Sequence, residues 1–434
     1  MMYIDNILFA VILIVGIGFF TKNVIKLKRN INLGQKVNRT DNPSARWKNM
    51  AMIALGQSKM IKRPIAGFLH FIVYVGFVII NLEVLEIVID GLFGTHRIFS
   101  FLGGFYGFLI GSFEILAVLV LAAVIIFWIR RNVIKLKRFV GSDLKVWPKN
   151  DANYILYFEV ILMSLFLIMN AFDMNPEKMH GGNIISQFLA PSLDVFSLVS
   201  VEIIERSAWW LHIIGILIFL NYLYFSKHLH ILLAFPNTYF ADLNPKGQFD
   251  NLESVTNEVK LMMDPNADPF AAQPVDENAI PQKFGAADVQ DLNWVQLLNA
   301  YTCTECGRCT SACPASQTGK KLSPRKIMMD TRDRMEEVGR NMDANKGVFV
   351  PDNKSLLNDY ITPEELWACT SCNACVEECP VNISPLSIIM DMRRYLVMEQ
   401  SAAPQSLNAM MTNIENNGAP WQYNQQDRLN WKND

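Results

Sequence analysis

The sequence predicts an all-α fold in two parts, a five-helix transmembrane bundle over residues 1–235 and a smaller α-helical domain over residues 287–400. Three observations predict it. Five apolar stretches before Pro236 approach or exceed the ~20 residues that a helix needs to cross a bilayer. All eight cysteines lie between Cys303 and Cys379, a grouping that suits a metal site in a reducing compartment better than a disulfide framework. Around them Ser323-Pro324, Thr362-Pro363 and Ser384-Pro385 place a hydroxyl N-cap before a proline at N1, which starts a helix.

The first apolar stretch, Ile7 to Phe20, extends from Tyr3 to Thr21. It reads as a spanning helix rather than a cleaved signal, because no Lys or Arg precedes it and its basic charges come afterwards. The other spans are predicted at Ile65 to Ile89, Phe105 to Ile129, Ala152 to Phe172 and Ser207 to Phe225. Residues 22–63 carry eleven Lys and Arg and residues 130–149 carry seven, whereas the other two loops are nearly free of them. The positive-inside rule then puts the N-terminus outside and the cysteine domain in the cytoplasm of a bacterial inner membrane. The net charge of −2 therefore conceals a basic membrane half and an acidic remainder. No basic run with interleaved aromatics points to nucleic acid.

The basic segment from Arg46 to Lys59 looks amphipathic, suited to lying on anionic lipid or to docking a partner. Residues 236–286 are irregular and proline-rich around one helix near Leu252 to Met263, and read as a linker. A helix over about Asp288 to Ala300 then delivers Cys303, and residues 401–434 form a polar tail suited to partner contact.

The cysteines repeat C-x2-C-x2-C-x3-C-P twice, as CTECGRCTSACP from Cys303 and CTSCNACVEECP from Cys369. Three thiolates on one tight loop can cap three irons of a cubane, while the fourth, before proline, reaches the neighbouring cluster. Two interlocked 4Fe-4S clusters follow, one on Cys303, Cys306, Cys309 and Cys379, the other on Cys369, Cys372, Cys375 and Cys313. Zinc is the alternative for paired C-x2-C units, but it has no use for a third cysteine at the same spacing. Such clusters ordinarily carry electrons, with a purely structural role as the other reading. The repeat continues past the cysteines: Ile327, Asp330 and Arg332 follow the first Ser-Pro at the offsets at which Ile388, Asp391 and Arg393 follow the last.

Among the histidines, His70 lies about two turns inside the second span from its cytoplasmic end, and His228 and His230 lie at the cytoplasmic end of the fifth. A b-type haem needs two axial imidazoles at similar depth on facing helices, and His70 with His230 or His228 meets that requirement. His212 precedes His230 by eighteen residues, so a continuous helix would point both the same way, yet Ile80 stands near its depth and leaves it unpaired. The competing readings are interfacial snorkelling beside Lys227 for His228 and His230, and packing beside Trp209 and Trp210 for His212. Glu83, Glu86, Glu114 and Glu159 are costly in lipid and are expected to face the bundle, as quinone-linked proton acceptors or as partners of buried polar groups.

At these residues the chain resembles two known families. His70 on the second span, with His212 and His230 on the fifth followed by Pro236 and Tyr239, looks like the cytochrome b subunit of respiratory nitrate reductase. Ile80 stands near the place of that family's second histidine on the second helix, so the resemblance implies a single haem. The segment from Trp294 to Arg393, with CTECGRC, LSPRKI and the second CP, resembles the helical dicluster ferredoxin that forms the C subunit of heterodisulfide reductase. The tail from Ile414 to Trp431 is similar to the bridge that enters cysteine-rich CCG domains in fused relatives. Together these resemblances imply a membrane-bound electron-transfer subunit working between menaquinone, or another quinone, and a cytoplasmic partner. That partner would be a separate CCG-domain protein like the B subunit of heterodisulfide reductase, with electron-transfer flavoprotein or another soluble donor behind it. Two readings compete: a haem-free membrane-anchored ferredoxin feeding another membrane subunit, and an iron-sulfur redox sensor.

Overall fold

The computed structural model describes residues 2–141, 143–144, 146–189, 197–265 and 283–433. Among them the fold is helical, without a strand. The first part holds α1 (Met2–Ile31), α2 (Pro43–Met50), α3 (Pro64–Phe93), α4 (Gly104–Asn132), α5 (Trp147–Ala171), α6 (Leu198–Tyr222) and α7 (His230–Tyr239). Of these, α1, α3, α4, α5 and α6 are long and apolar enough to cross a membrane. Their inward faces share a core that includes Phe9, Ile80, Tyr106, Phe113, Phe166 and Ile213, while Ile14, Ile65 and Phe108 point outward, exposed as lipid-facing residues would be. Small residues let membrane helices approach closely. At Gly76 of α3 a Cβ would stand 2.5 Å from Val120 of α4, so only glycine fits there.

A buried polar network ties the bundle together at the end away from the cysteines. Arg97 donates to Asp173 (2.6 Å), Asn170 (3.0 Å) and the Tyr106 hydroxyl (3.2 Å). Tyr106 in turn donates to Glu86 (2.6 Å), and Asn170 and the Ser186 hydroxyl donate to Glu114 (3.0 and 2.6 Å). Glu86 and Glu114 are thus partners of buried polar groups. Removing one member of a buried ion pair typically costs about 3–5 kcal/mol, because the other charge stays desolvated. Arg97→Leu is therefore expected to lower the thermal transition of the detergent-solubilised protein by several degrees, and an unchanged transition would show that the network does not hold the fold.

The second part holds α8 (Glu253–Met263), α9 (Trp294–Thr302), α10 (Arg308–Ala312), α11 (Pro314–Gln317), α12 (Pro324–Ala344), α13 (Pro363–Trp367), α14 (Ala374–Glu378), α15 (Pro385–Arg394) and α16 (Gln405–Asn417). Ser323, Thr362 and Ser384 cap α12, α13 and α15 as the sequence predicts, Thr362 in a capping box with Glu365. The helix expected from Asp288 begins later, because Asn293 forms its own capping box with Gln296 at the start of α9.

The two parts are joined more intimately than the sequence suggests. Leu27 of α1, Ala54, Leu229 and Ala234 of α7 share one core with Val289, Leu297, Ile327, Met335 and Ile388. The helix α1 runs past its predicted end at Thr21 because its polar continuation finds partners there: Lys26 (2.6 Å) and Arg29 pair with Asp343, and Asn30 donates to Tyr301 (2.8 Å). Pro236 does not open the linker but lies inside α7, where Asn237 donates to the Val381 carbonyl (2.7 Å). Residues 266–282 of the expected linker lie outside the described residues.

In the segment around Arg46, Arg46 itself is buried, pairs with Asp41 (2.6 Å) and donates to the carbonyls of Tyr239 (3.2 Å) and Ala241 (3.0 Å), while Trp47, Met52 and Leu55 stay exposed. One further expectation is corrected: no single helix carries His212 and His230. Helix α6 ends at Tyr222 and two 3-10 turns follow, separated by Ser226 in extended conformation. Asp151 pins this break by accepting from the Tyr222 hydroxyl (2.8 Å) and the Lys227 amide (3.2 Å).

Candidate redox site

The two cysteine loops share one backbone design. Glu305 and Ser371, at equivalent places, adopt φ 51° and 57°, and Gly307 and Asn373 adopt φ 70° and 59°. Left-handed residues at alternate positions curl each loop tightly, which only glycine does without strain. Cys303, Cys306, Cys309 and Cys379 line one cavity together with Cys375 of the second run. Cys313 is an electrostatic neighbour of Cys369 and Cys375, and Cys372 of the same two. Cys379 thus lies with the three cysteines of the first run, and Cys313 near Cys369 and Cys375 of the second. Among the described residues no three Cys, His, Asp or Glu side chains converge closely enough to hold a single metal ion.

Amides support the sulfurs: Ile383 donates to Cys379 Sγ (3.2 Å) and Ser371 to Cys369 Sγ (3.4 Å), bonds of the kind that tune a cluster's potential. Burial pushes the Cys303 thiol up to about 12 and the Cys379 thiol up to about 11. Cys372 is exposed, whereas Cys303, Cys313, Cys375 and Cys379 are buried.

Glu305, in the first cysteine loop, connects this region to the bundle. It is buried and pairs with Lys227 (2.6 Å) and Arg332 (2.8 Å). Burial alone would raise its carboxyl, but the Arg332 and Lys227 charges outweigh that and hold it below the usual glutamate range. Lys227 opens the turn that carries His228 and His230. From the same cysteine loop Arg308 donates to the Lys59 carbonyl (3.1 Å), just before α3, and lies within electrostatic reach of His70.

The structure brings three of the four predicted histidines together. The rings of His70 and His230 have centroids 6.5 Å apart and planes tilted by 38°, His228 stands 5.7 Å from His230, and His228 is also an electrostatic neighbour of His70. The His230 Nδ1 lies 3.0 Å from the Lys227 carbonyl, which fixes the proton on Nδ1 and leaves the Nε2 lone pair available. Burial lowers both His228 and His230 below the ordinary imidazole range, so both are neutral. The His70 Nδ1 is buried with no hydrogen-bond partner among the described residues. His212 is left apart, packed at 6.3 Å from the Phe166 ring with neither nitrogen hydrogen-bonded among the described residues.

Sequence reasoning missed Glu305, Lys227, Arg332 and Asp151. One signal was present, since the repeat has an acid at Glu305 where the other loop has Ser371. Arg393, the counterpart of Arg332, accordingly binds backbone instead, donating to the Leu366 carbonyl (2.7 Å) and to that of Cys369.

Residues 299–383 match the family model described as a 4Fe-4S dicluster domain. The chain is 28% identical, over 99% of its length, to the probable iron-sulfur-binding oxidoreductase FadF of Bacillus subtilis (strain 168), covering 61% of that protein. It is 26% identical, over 91% of its length, to EtfAB:quinone oxidoreductase of Syntrophomonas wolfei subsp. wolfei, covering 55% of it. Over 25% of its length it is 31% identical to the C subunit of the ferredoxin/F(420)H(2)-dependent CoB-CoM heterodisulfide reductase of Methanosarcina acetivorans, covering 53% of that protein. The chain thus spans 61% and 55% of the first two relatives. No solved structure matches it. The chain accordingly combines five helices able to cross a membrane with a match to a 4Fe-4S dicluster domain, and is similar over nearly its whole length to iron-sulfur-binding oxidoreductases.

Proposed function

We propose that this chain is the membrane-bound electron-transfer subunit of a quinone-linked oxidoreductase, with menaquinone the expected quinone. The observation that carries the reading is the junction between the two parts: one cysteine loop reaches toward His70 through Arg308 and toward the His230 turn through Glu305 and Lys227. Cys303, Cys306, Cys309 and Cys379 hold the cluster nearer the bundle, and Cys369, Cys372, Cys375 and Cys313 the one nearer solvent, where Cys372 is exposed.

A b-type haem fits His70 and His230. A metal about 2 Å from each of two imidazole nitrogens separates the ring centres by about 6 Å, close to the 6.5 Å observed. Bound there, the haem supplies a one-electron carrier between the clusters and the membrane. His228 packs against His230, and His212 is a packing residue. The Lys- and Arg-rich connections lie at the cluster end of the bundle, which supports a cytoplasmic cluster domain. Electrons enter near Cys372 from a CCG-domain module, with electron-transfer flavoprotein or another soluble donor upstream. The name of the Syntrophomonas wolfei relative supports the flavoprotein and the quinone.

The test is an optical spectrum of the air-oxidised protein before and after a menaquinol analogue, with iron and haem quantified. Sharp b-type bands rising on quinol addition are expected. Broad iron-sulfur absorption without them would leave a membrane-anchored ferredoxin.

A further inference from the structure

A cavity of about 440 Å³ opens where the bundle meets the cluster domain. Trp147 and Phe225, at the ends of α5 and α6, form its apolar side, and Lys227, Glu305, Arg332 and Glu336 its polar side. Its size and mixed lining are those of a site for a small flat molecule with a few polar atoms. Glu305 lines both this cavity and the one formed by Cys303, Cys306, Cys309 and Cys379, so a single residue separates them. On the other side Lys227 joins it to the turn of His228 and His230.

We propose that this cavity binds the head group of a para-quinone, its isoprenoid tail leaving past Trp147 and Phe225 into the bilayer. The inference rests on the quinone-linked reading and locates its site. The Lys227 ammonium and Arg332 guanidinium, held in place by Glu305 at 2.6 and 2.8 Å, supply donors for the quinone oxygens. Reduction to the quinol takes two electrons and two protons; a 4Fe-4S cluster held by Cys303, Cys306, Cys309 and Cys379 would supply the electrons one at a time, and would accept them in the reverse oxidation. Glu336, partly exposed and hydrogen-bonded to the Tyr301 hydroxyl, links the cavity to bulk protons. The acids at the opposite end of the bundle are poorer candidates, because Glu86 and Glu114 already accept hydrogen bonds from Tyr106, Asn170 and Ser186.

The experiment uses the full chain in lipid nanodiscs with an azido-naphthoquinone photolabel, alongside Asp333→Trp, which fills the cavity from an exposed position. Label is expected in peptides containing Trp147, residues 224–229 or residues 332–340, and to be displaced by menadione. The Asp333→Trp protein is expected to be reduced by menadiol at least tenfold more slowly, with dithionite-reduced EPR signals unchanged. Label confined to α3 or α4, or absent, together with a wild-type rate in Asp333→Trp, would overturn the site while leaving the quinone link standing. Wild-type clusters that no quinol reduces would overturn both.

Discussion

Cys379→Ser is expected to remove the cluster of the first cysteine run and to spare that of its own run. Cys379 lines the cavity of Cys303, Cys306 and Cys309, and its Sγ accepts the Ile383 amide there. A serine oxygen is a harder and less easily ionised ligand than a thiolate, so the cubane it should close loses iron. Iron content should fall from about eight toward about four per chain, and one of the two reduced EPR signals should disappear. Cys313→Ser is expected to remove the other, because Cys313 neighbours Cys369 and Cys375. If Cys306→Ser and Cys379→Ser abolished different signals, the interlocked assignment would be wrong.

His70→Ala is expected to abolish b-type haem absorption, more than tenfold per chain, while both cluster signals persist. A site that would hold the haem through two imidazoles would lose it with one of them, and His230 is the imidazole whose ring faces that of His70 at 6.5 Å. His230→Ala should match it. His228→Ala and His212→Ala should keep their haem, because His212 packs against Phe166 and touches neither of the pair. Haem retained in His230→Ala but lost in His228→Ala would move the axial role to His228. Haem lost in His212→Ala alone would place the site near mid-bilayer.

Much of the candidate site was legible because its signals are local. The C-x2-C-x2-C-x3-C-P spacing is a property of one loop, and the hydroxyl caps of α12, α13 and α15 act within four residues. The depth match of His70 and His230 followed from counting along two spans. The break after Tyr222 was not legible, because it depends on Asp151, which is distant in sequence yet accepts from both Tyr222 and the Lys227 amide. Without that break an apolar, uninterrupted sequence reads as continuous helix, and His212 and His230 align on paper.

The sequence by itself determined the class of the protein: five apolar runs of spanning length, two cysteine loops and the helix starts around them, all set by short-range stereochemistry and by the cost of leaving backbone unsatisfied in lipid. The tertiary structure alone decided how the parts meet. It carried α1 beyond the membrane to Asp343 and Tyr301, buried Arg46 under the end of α7, and set Glu305 between Lys227 and Arg332. A buried charge is tolerable only where an opposite charge is brought to it, and which residue arrives is settled by packing between segments separated by tens to hundreds of positions.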